Sequence, residues 1–238
     1  MTKPLHIGIA ACSAEGAALC YRTICIEAPK LMGGHDHPEI SLHTPPFDDY
    51  MKPIYRGDWQ AVANLMLASA EKLARIGANF VICPDNTIHQ ALPFIEAKSP
   101  IPWLHIAASV ADEAVARGFK RIAITGTRWL TDSEVYPQKL TACGLEWVRP
   151  TVPERDEINR YIMDEMVRGV FSKEAVAYFQ KVIGRLKSDE GCDAVVMGCT
   201  EIPLLMNDGN SPLPTLDSTR LLARAAIRRA LDGKKKAA

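Results

Sequence analysis

Short apolar runs without polar alternation limit what this chain can become. Residues 6–12 read HIGIAAC, 79–83 read NFVIC, 121–127 read RIAITGT and 193–198 read DAVVMG. Successive side chains of a strand point to opposite faces, so a strand with one wet face alternates apolar and polar residues. A strand that does not alternate is covered on both faces, the usual state of strands in helix-flanked parallel sheets. Between these runs lie longer segments with apolar residues at three- and four-residue spacing. Residues 15–31, 58–77, 109–118, 173–191 and 218–233 are predicted helices. Asp58 is placed to cap the second of these and Gly77 to end it. EISLHT (39–44) and WLHIA (103–107) are further predicted strands. Strand and helix in this rhythm give an α/β fold with mainly parallel sheets. Ligands of such sheets sit at the carboxyl ends of the strands. Here those ends are Cys12-Ser13, Thr44 onward, Asp85 to His89, Thr127-Arg128 and Cys199 to Glu201.

Two of those ends echo each other. GANFVICPDNT (77–87) and GCDAVVMGCTE (191–201) each follow an amphipathic helix ending at glycine. Each continues with a polar residue, an apolar strand, a Pro or Gly, and then a reactive side chain. Asp85 stands opposite Cys199, and Asn86 opposite Thr200. Any two helix-to-strand units share some of this pattern. The sharper reading is a chain of two related α/β halves, with an acid–base group from each facing one cleft. Such a pair suits inversion of a carbon stereocentre through a planar carbanion, which needs a base on one face and an acid on the other. A thiol suits the task because its pKa lies near neutrality and a polar loop can lower it.

Composition removes several other classes. Lys plus Arg and Asp plus Glu are both 28 in 238 residues, so no basic nucleic-acid footprint is expected. The run Lys234-Lys235-Lys236 reads as a solvated tail before it reads as a polyanion site. No window has the apolar length of a membrane span, and the N-terminus reads as a first strand rather than a signal peptide. Seven scattered cysteines argue against a disulfide framework and for a reducing cytoplasm. Most are expected to be small core residues, with Cys199 the exception. HDH (35–37) lacks companions at metal-ligand spacing and reads as a polar loop. No nucleotide-binding loop follows the first strand.

At this point the residues resemble a known family. VVMGCTEIPLL (195–205) resembles the second signature of the aspartate/glutamate racemase superfamily, and PDNTIH (84–89) its first, which usually carries Cys-Asn-Thr. IAITGTRWLTDSEVY (122–136) resembles its Gly-Thr strand-end segment, and PTLDSTRLLA (214–223) its closing segment. The resemblance spans nearly the whole chain. It implies a cofactor-independent enzyme of two pseudo-twofold-related α/β halves: residues 1–103 with 216–238 returning to them, and residues 104–215. The active site is then expected in the cleft between them. It makes Cys199 a catalytic cysteine, and Asn86, Thr87 and Thr200 holders of the substrate carboxylate, with Thr127 at the Gly-Thr strand end. A homodimer is the assembly it suggests. Two departures stand out: Asp85 replaces the first catalytic cysteine, and AACSAEG replaces the usual glycine-rich first loop, so that Ser13 offers a hydroxyl where the family relies on backbone amides.

Three readings of Asp85 compete. It is the second acid–base group, provided burial raises a reference pKa of about 3.9. It stays ionised and holds the substrate's ammonium group, leaving Cys199 as sole acid–base residue. Or it caps its loop through the amides of Asn86 and Thr87. Cys83, two residues earlier, points the same way along the strand and reads as a displaced thiol or, more commonly, a buried one. His89 is a supporting residue that orients a neighbour or, equally, a core or capping histidine. Glu201 either assists the Cys199 proton or caps the next turn. Arg168 suits a distal substrate carboxylate through a bidentate pair, or is a solvated arginine. FDDYM (47–51), read as a loop, points instead to an apolar substrate side chain. The expected function is a cofactor-independent racemase of a small, aspartate- or glutamate-like amino acid using Cys199 and Asp85. The alternatives are a one-base decarboxylase, isomerase or lyase using Cys199 alone, and a small-acid binding protein without turnover. No metal, nucleic-acid or membrane partner is expected.

Overall fold

The computed structural model describes residues 3–235; Lys236 lies outside them, as do the side chains of Lys234 and Lys235. The chain divides into two compact units. One is the chain up to Ile106 together with the segment from Thr219 on; the other is Ala107–Ser218.

The first unit runs β1 (Ile7–Ala10), α1 (Ala14–Glu27), α2 (Pro29–Met32), β2 (Ile40–His43), α3 (Phe47–Arg56), α4 (Trp59–Arg75), β3 (Phe80–Ile82), 3-10 helices at Thr87–Phe94 and Glu96–Lys98, and β4 (Trp103–Leu104). Its sheet has the order β2-β1-β3-β4, with every pairing parallel. The second unit follows with α5 (Ile106–Ala116), β5 (Arg121–Thr125), α6 (Arg128–Thr131), α7 (Val135–Ala142), β6 (Glu146–Val148), α8 (Val152–Arg160), a π turn at Tyr161–Glu165, a 3-10 turn at Met166–Arg168, α9 (Lys173–Ser188), β7 (Ala194–Met197), α10 (Ile202–Leu205) and β8 (Thr215–Asp217). Its sheet order is β6-β5-β7-β8, again all parallel. The chain then returns to the first unit as α11 (Ser218–Lys235).

The two sheets have one topology. In each, the first strand is central, the second lies at its edge, the third on its other side and the fourth beyond. β3 and β7 are therefore equivalent strands, which gives the sequence echo a structural basis. Both are fully buried. Ile7, Ile9, Phe80 and Ile82 pack with Ile24 of α1 and Ile227 of α11. Val195 and Met197 pack with Phe179 and Ile183 of α9. The polar residue before each strand also does one job in both. Asn79 Oδ1 accepts the His6 N–H at 2.7 Å. Asp193 accepts the Lys120 and Arg121 N–H groups at 2.7 and 3.1 Å. Each side chain clamps β3 or β7 to the start of the neighbouring central strand.

Several sequence-based boundaries move. The first helix breaks at Pro29, which opens α2. FDDYM is not a loop but the start of α3. Asp48 and Asp49 suit a helix N-terminus, Asp48 pairs with Lys52 at 2.6 Å, and Tyr50 and Ile54 are buried on one face. WLHIA supplies only a two-residue strand; Ile106 and Ala107 are apolar because they start a buried helix. Such a short run cannot be assigned by periodicity. β6 and β8 are strands that the sequence pattern does not predict. Because β8 pairs with β7, the chain leaves the second unit after Ser218, not after residue 215.

Candidate active site

In the second unit a thiol follows β7. β7 ends at Met197, and Gly198 then passes against β5: its N–H donates to the Thr125 carbonyl at 3.0 Å. A Cβ on Gly198 would lie 2.4 Å from that oxygen and 2.6 Å from a Leu130 methyl. Gly126, on the neighbouring strand end, has φ +153, and a Cβ there would lie 2.9 Å from the Gly198 oxygen. The glycines of the two signatures therefore exist for each other, letting two strand ends approach closely. Thr127 turns that loop into α6: its Oγ1 accepts the Leu130 N–H at 3.3 Å.

Beyond Gly198 the thiol of half-buried Cys199 donates to Glu201 Oε2 at 2.9 Å, and the Thr200 hydroxyl donates to the same oxygen at 2.8 Å. Thr200 and Glu201 are both buried. A buried carboxylate needs donors to offset lost hydration, and here two neighbouring side chains supply them. The arrangement also puts a carboxylate oxygen in line to take the sulfur's proton. Glu201 thus acts on the thiol through a direct hydrogen bond. Arg168 is exposed, on the 3-10 turn closed by Gly169 at φ +78.

In the first unit a carboxylate follows β3. After β3 come buried Cys83 and Pro84 and then half-buried Asp85. Asp85 Oδ1 accepts the Ile88 N–H at 3.3 Å, so the side chain does engage its own loop, through Ile88 rather than through Asn86 and Thr87. The Asp85 carbonyl accepts from His89 Nδ1 at 2.7 Å, and His89 Nε2 faces the Ile106 N–H at 3.3 Å. One ring nitrogen donates and the other accepts, which fits a neutral imidazole with its proton on Nδ1. His89 is therefore a brace between the Asp85 backbone and the first residue of α5, consistent with its reading as an orienting residue. Asn86 is buried and its carbonyl accepts the His89 N–H at 3.2 Å; Thr87 is half-buried at the start of the 3-10 helix. Ser13 caps α1, its hydroxyl oxygen accepting the Gly16 N–H at 3.3 Å.

Cys83 is not a displaced catalytic thiolate. Burial first, and then the nearby Asp85 charge, push its pKa well above the ordinary thiol range, so it stays protonated at neutral pH. Tyr50 is a residue that the sequence did not single out. It is fully buried. Burial, followed by Cys83, Cys12 and Asp85, raises its pKa. The signal for it was the Tyr50–Ile54 spacing of an amphipathic turn, masked by two aspartates that look loop-like. Among the described residues no group of three or more His, Cys, Asp or Glu side chains is placed to hold a metal ion, and no helix is long and apolar enough to cross a membrane.

Comparison with known proteins agrees with this architecture. The sequence matches the Asp/Glu/Hydantoin racemase family over residues 9–226. It is 22% identical over 195 residues to the broad specificity amino-acid racemase RacX of Bacillus subtilis strain 168, covering 81% of this chain and 82% of that one. The fold superposes with a TM-score of 0.87 on a protein of Yersinia pestis described as a candidate Asp/Glu racemase, at 31% identity over 95% of this chain and 99% of the other. An aspartate racemase homologue from Pyrococcus horikoshii gives a TM-score of 0.81 at 26% identity, over 97% of this chain and 100% of the other. Two four-stranded parallel sheets of one topology, with a Gly-Cys-Thr-Glu strand end in the second, and a match over most of the sequence place this chain in the Asp/Glu/hydantoin racemase family of enzymes.

Proposed function

We propose that the protein is an amino-acid racemase in which Cys199 and Asp85 each serve one face of the substrate's α-carbon. The observation that carries this reading is their equivalence: they follow β7 and β3, equivalent strands of two sheets with the same order. The Cys199–Glu201 hydrogen bond supports it further, since it gives the thiol an acceptor for its proton. In one direction Cys199 removes the α-proton and Asp85 returns one to the opposite face; in the reverse direction the roles exchange. Strand-end amides and the Asn86, Thr87 and Thr200 side chains hold the carboxylate, where charge builds as the carbanion forms. The test is to incubate the enzyme in deuterated water with a panel of L- and D-amino acids and follow α-deuteration and chirality. Exchange with inversion from both enantiomers is expected; exchange with no change of chirality sinks the two-base reading.

One observation favours a second reading. The Ile88 N–H bonded to Asp85 Oδ1 stabilises an ionised carboxylate. On that reading Asp85 stays charged and holds the substrate's ammonium group, and Cys199 alone moves protons in an isomerisation, elimination or decarboxylation. Decarboxylation of substituted malonates without racemisation of any amino acid is its signature.

A further inference from the structure

The strand ends of the first unit border a groove that the acid–base chemistry leaves unused. It lies between the start of α1 and the end of β2 and has a volume of about 380 Å³, within the usual range of small-molecule sites. Cys12, Ala17, Tyr21, Leu42, Thr44 and Phe47 form much of its wall, and no lining residue is charged. Tyr21, Leu42 and Phe47 remain exposed there. The groove adjoins Asp85 through the sheet. β1 pairs with β3 in the register Ile9↔Ile82, so Cys12 and Asp85 stand at matching positions beyond neighbouring strands.

We propose that this groove receives the substrate's side chain and selects apolar amino acids over acidic ones. The inference rests on the racemase reading and specifies its substrate. A distal carboxylate in a groove without a charged wall residue loses hydration and gains no partner. A leucine, methionine or phenylalanine side chain gains burial against Leu42, Phe47 and Tyr21. Thr44 is too weak a donor set to reverse that balance. The groove thus decides for the apolar hint of the 47–51 segment and against the exposed Arg168.

The test measures α-deuteration rates for alanine, leucine, methionine, phenylalanine, aspartate and glutamate with the parent enzyme, Ala18→Phe and Leu42→Arg. Ala18 lines the groove and is exposed on α1, so a larger side chain there fills the groove without entering the core. The parent is expected to favour leucine, methionine or phenylalanine over aspartate by about tenfold or more in kcat/KM. Ala18→Phe should cut the large apolar substrates by about 10–100-fold, chiefly through KM, and leave alanine within about threefold. Leu42→Arg should shift the ranking toward aspartate and glutamate. A parent that prefers aspartate, or a ranking that neither variant moves, overturns the inference while leaving the racemase reading intact. So does an Ala18→Phe variant that changes only the sedimentation coefficient, which assigns the groove to contact between copies. If no amino acid exchanges, the racemase reading fails. Calorimetric leucine binding that Ala18→Phe abolishes then still supports the groove, and absence of binding overturns it too.

Discussion

The ends of β3 and β7 hold the same place in sheets of the same order, yet they are finished differently. At β7 the strand end is open and glycine-lined: Gly198 and Gly126 pack against each other, and the side chain that follows is a thiol bonded to the carboxylate of Glu201. At β3 the matching position is Pro84, and the side chain that follows is itself the carboxylate, bonded to the backbone amide of Ile88. One half places a carboxylate behind a thiol, and the other places a carboxylate at the equivalent position itself. The lesson is that a repeated fold fixes where a side chain stands while leaving its chemistry free.

The comparison breaks or sharpens in a graded series. The largest expected effect is Cys199→Ala, which should lower racemisation, and α-proton exchange of the enantiomer that Cys199 deprotonates, by about 10²–10⁴-fold, the scale of a lost general base, with circular dichroism showing an intact fold. Next is the glycine contrast. Gly198→Ala forces a Cβ to within 2.4 Å of a backbone oxygen and should cost about 1–3 kcal/mol in urea unfolding. Pro84→Ala, at the equivalent place, should cost less. Equal losses would mean that the two ends are packed alike. Third, Glu201→Gln removes the acceptor but keeps the shape. Exchange at neutral pH should fall about 10–100-fold while the unfolding midpoint changes little. Parent-level exchange would make Glu201 only a turn cap. The smallest effect concerns the clamps. Asn79 accepts one backbone amide and Asp193 accepts two. Asn79→Ala should cost about 1 kcal/mol and Asp193→Ala about twice that, read as midpoints of denaturation.

Much of the fold was legible because β1, β3, β5 and β7 are buried on both faces, so burial had erased all alternation from their sequences. β6 and β8 were not legible for the opposite reason. Each is three residues long and flanks one partner only, and EWV and TLD carry too few positions to show a period. FDDYM misled because aspartates favour both loops and helix starts, and only the buried Tyr50–Ile54 face separates the two. In the candidate site, the equivalent placing of Cys199 and Asp85 was legible from the echo. The sharing of one Glu201 oxygen by Cys199 and Thr200 was not, because adjacent residues give no spacing signal for a hydrogen bond made after the strand ends. His89 was legible as a support, but its partner at Ile106 was not, since that amide becomes available only where α5 begins.

The account turns on Asp85 as the second acid–base group, and one measurement addresses it directly: α-deuteration of each separated enantiomer by Asp85→Asn in deuterated water, with product chirality followed over time. If Asp85 serves one face, the variant still exchanges the enantiomer that Cys199 deprotonates, with configuration retained, while exchange of the other enantiomer and net racemisation are lost. An Asp85→Asn enzyme that racemises both enantiomers at the parent rate would contradict the account.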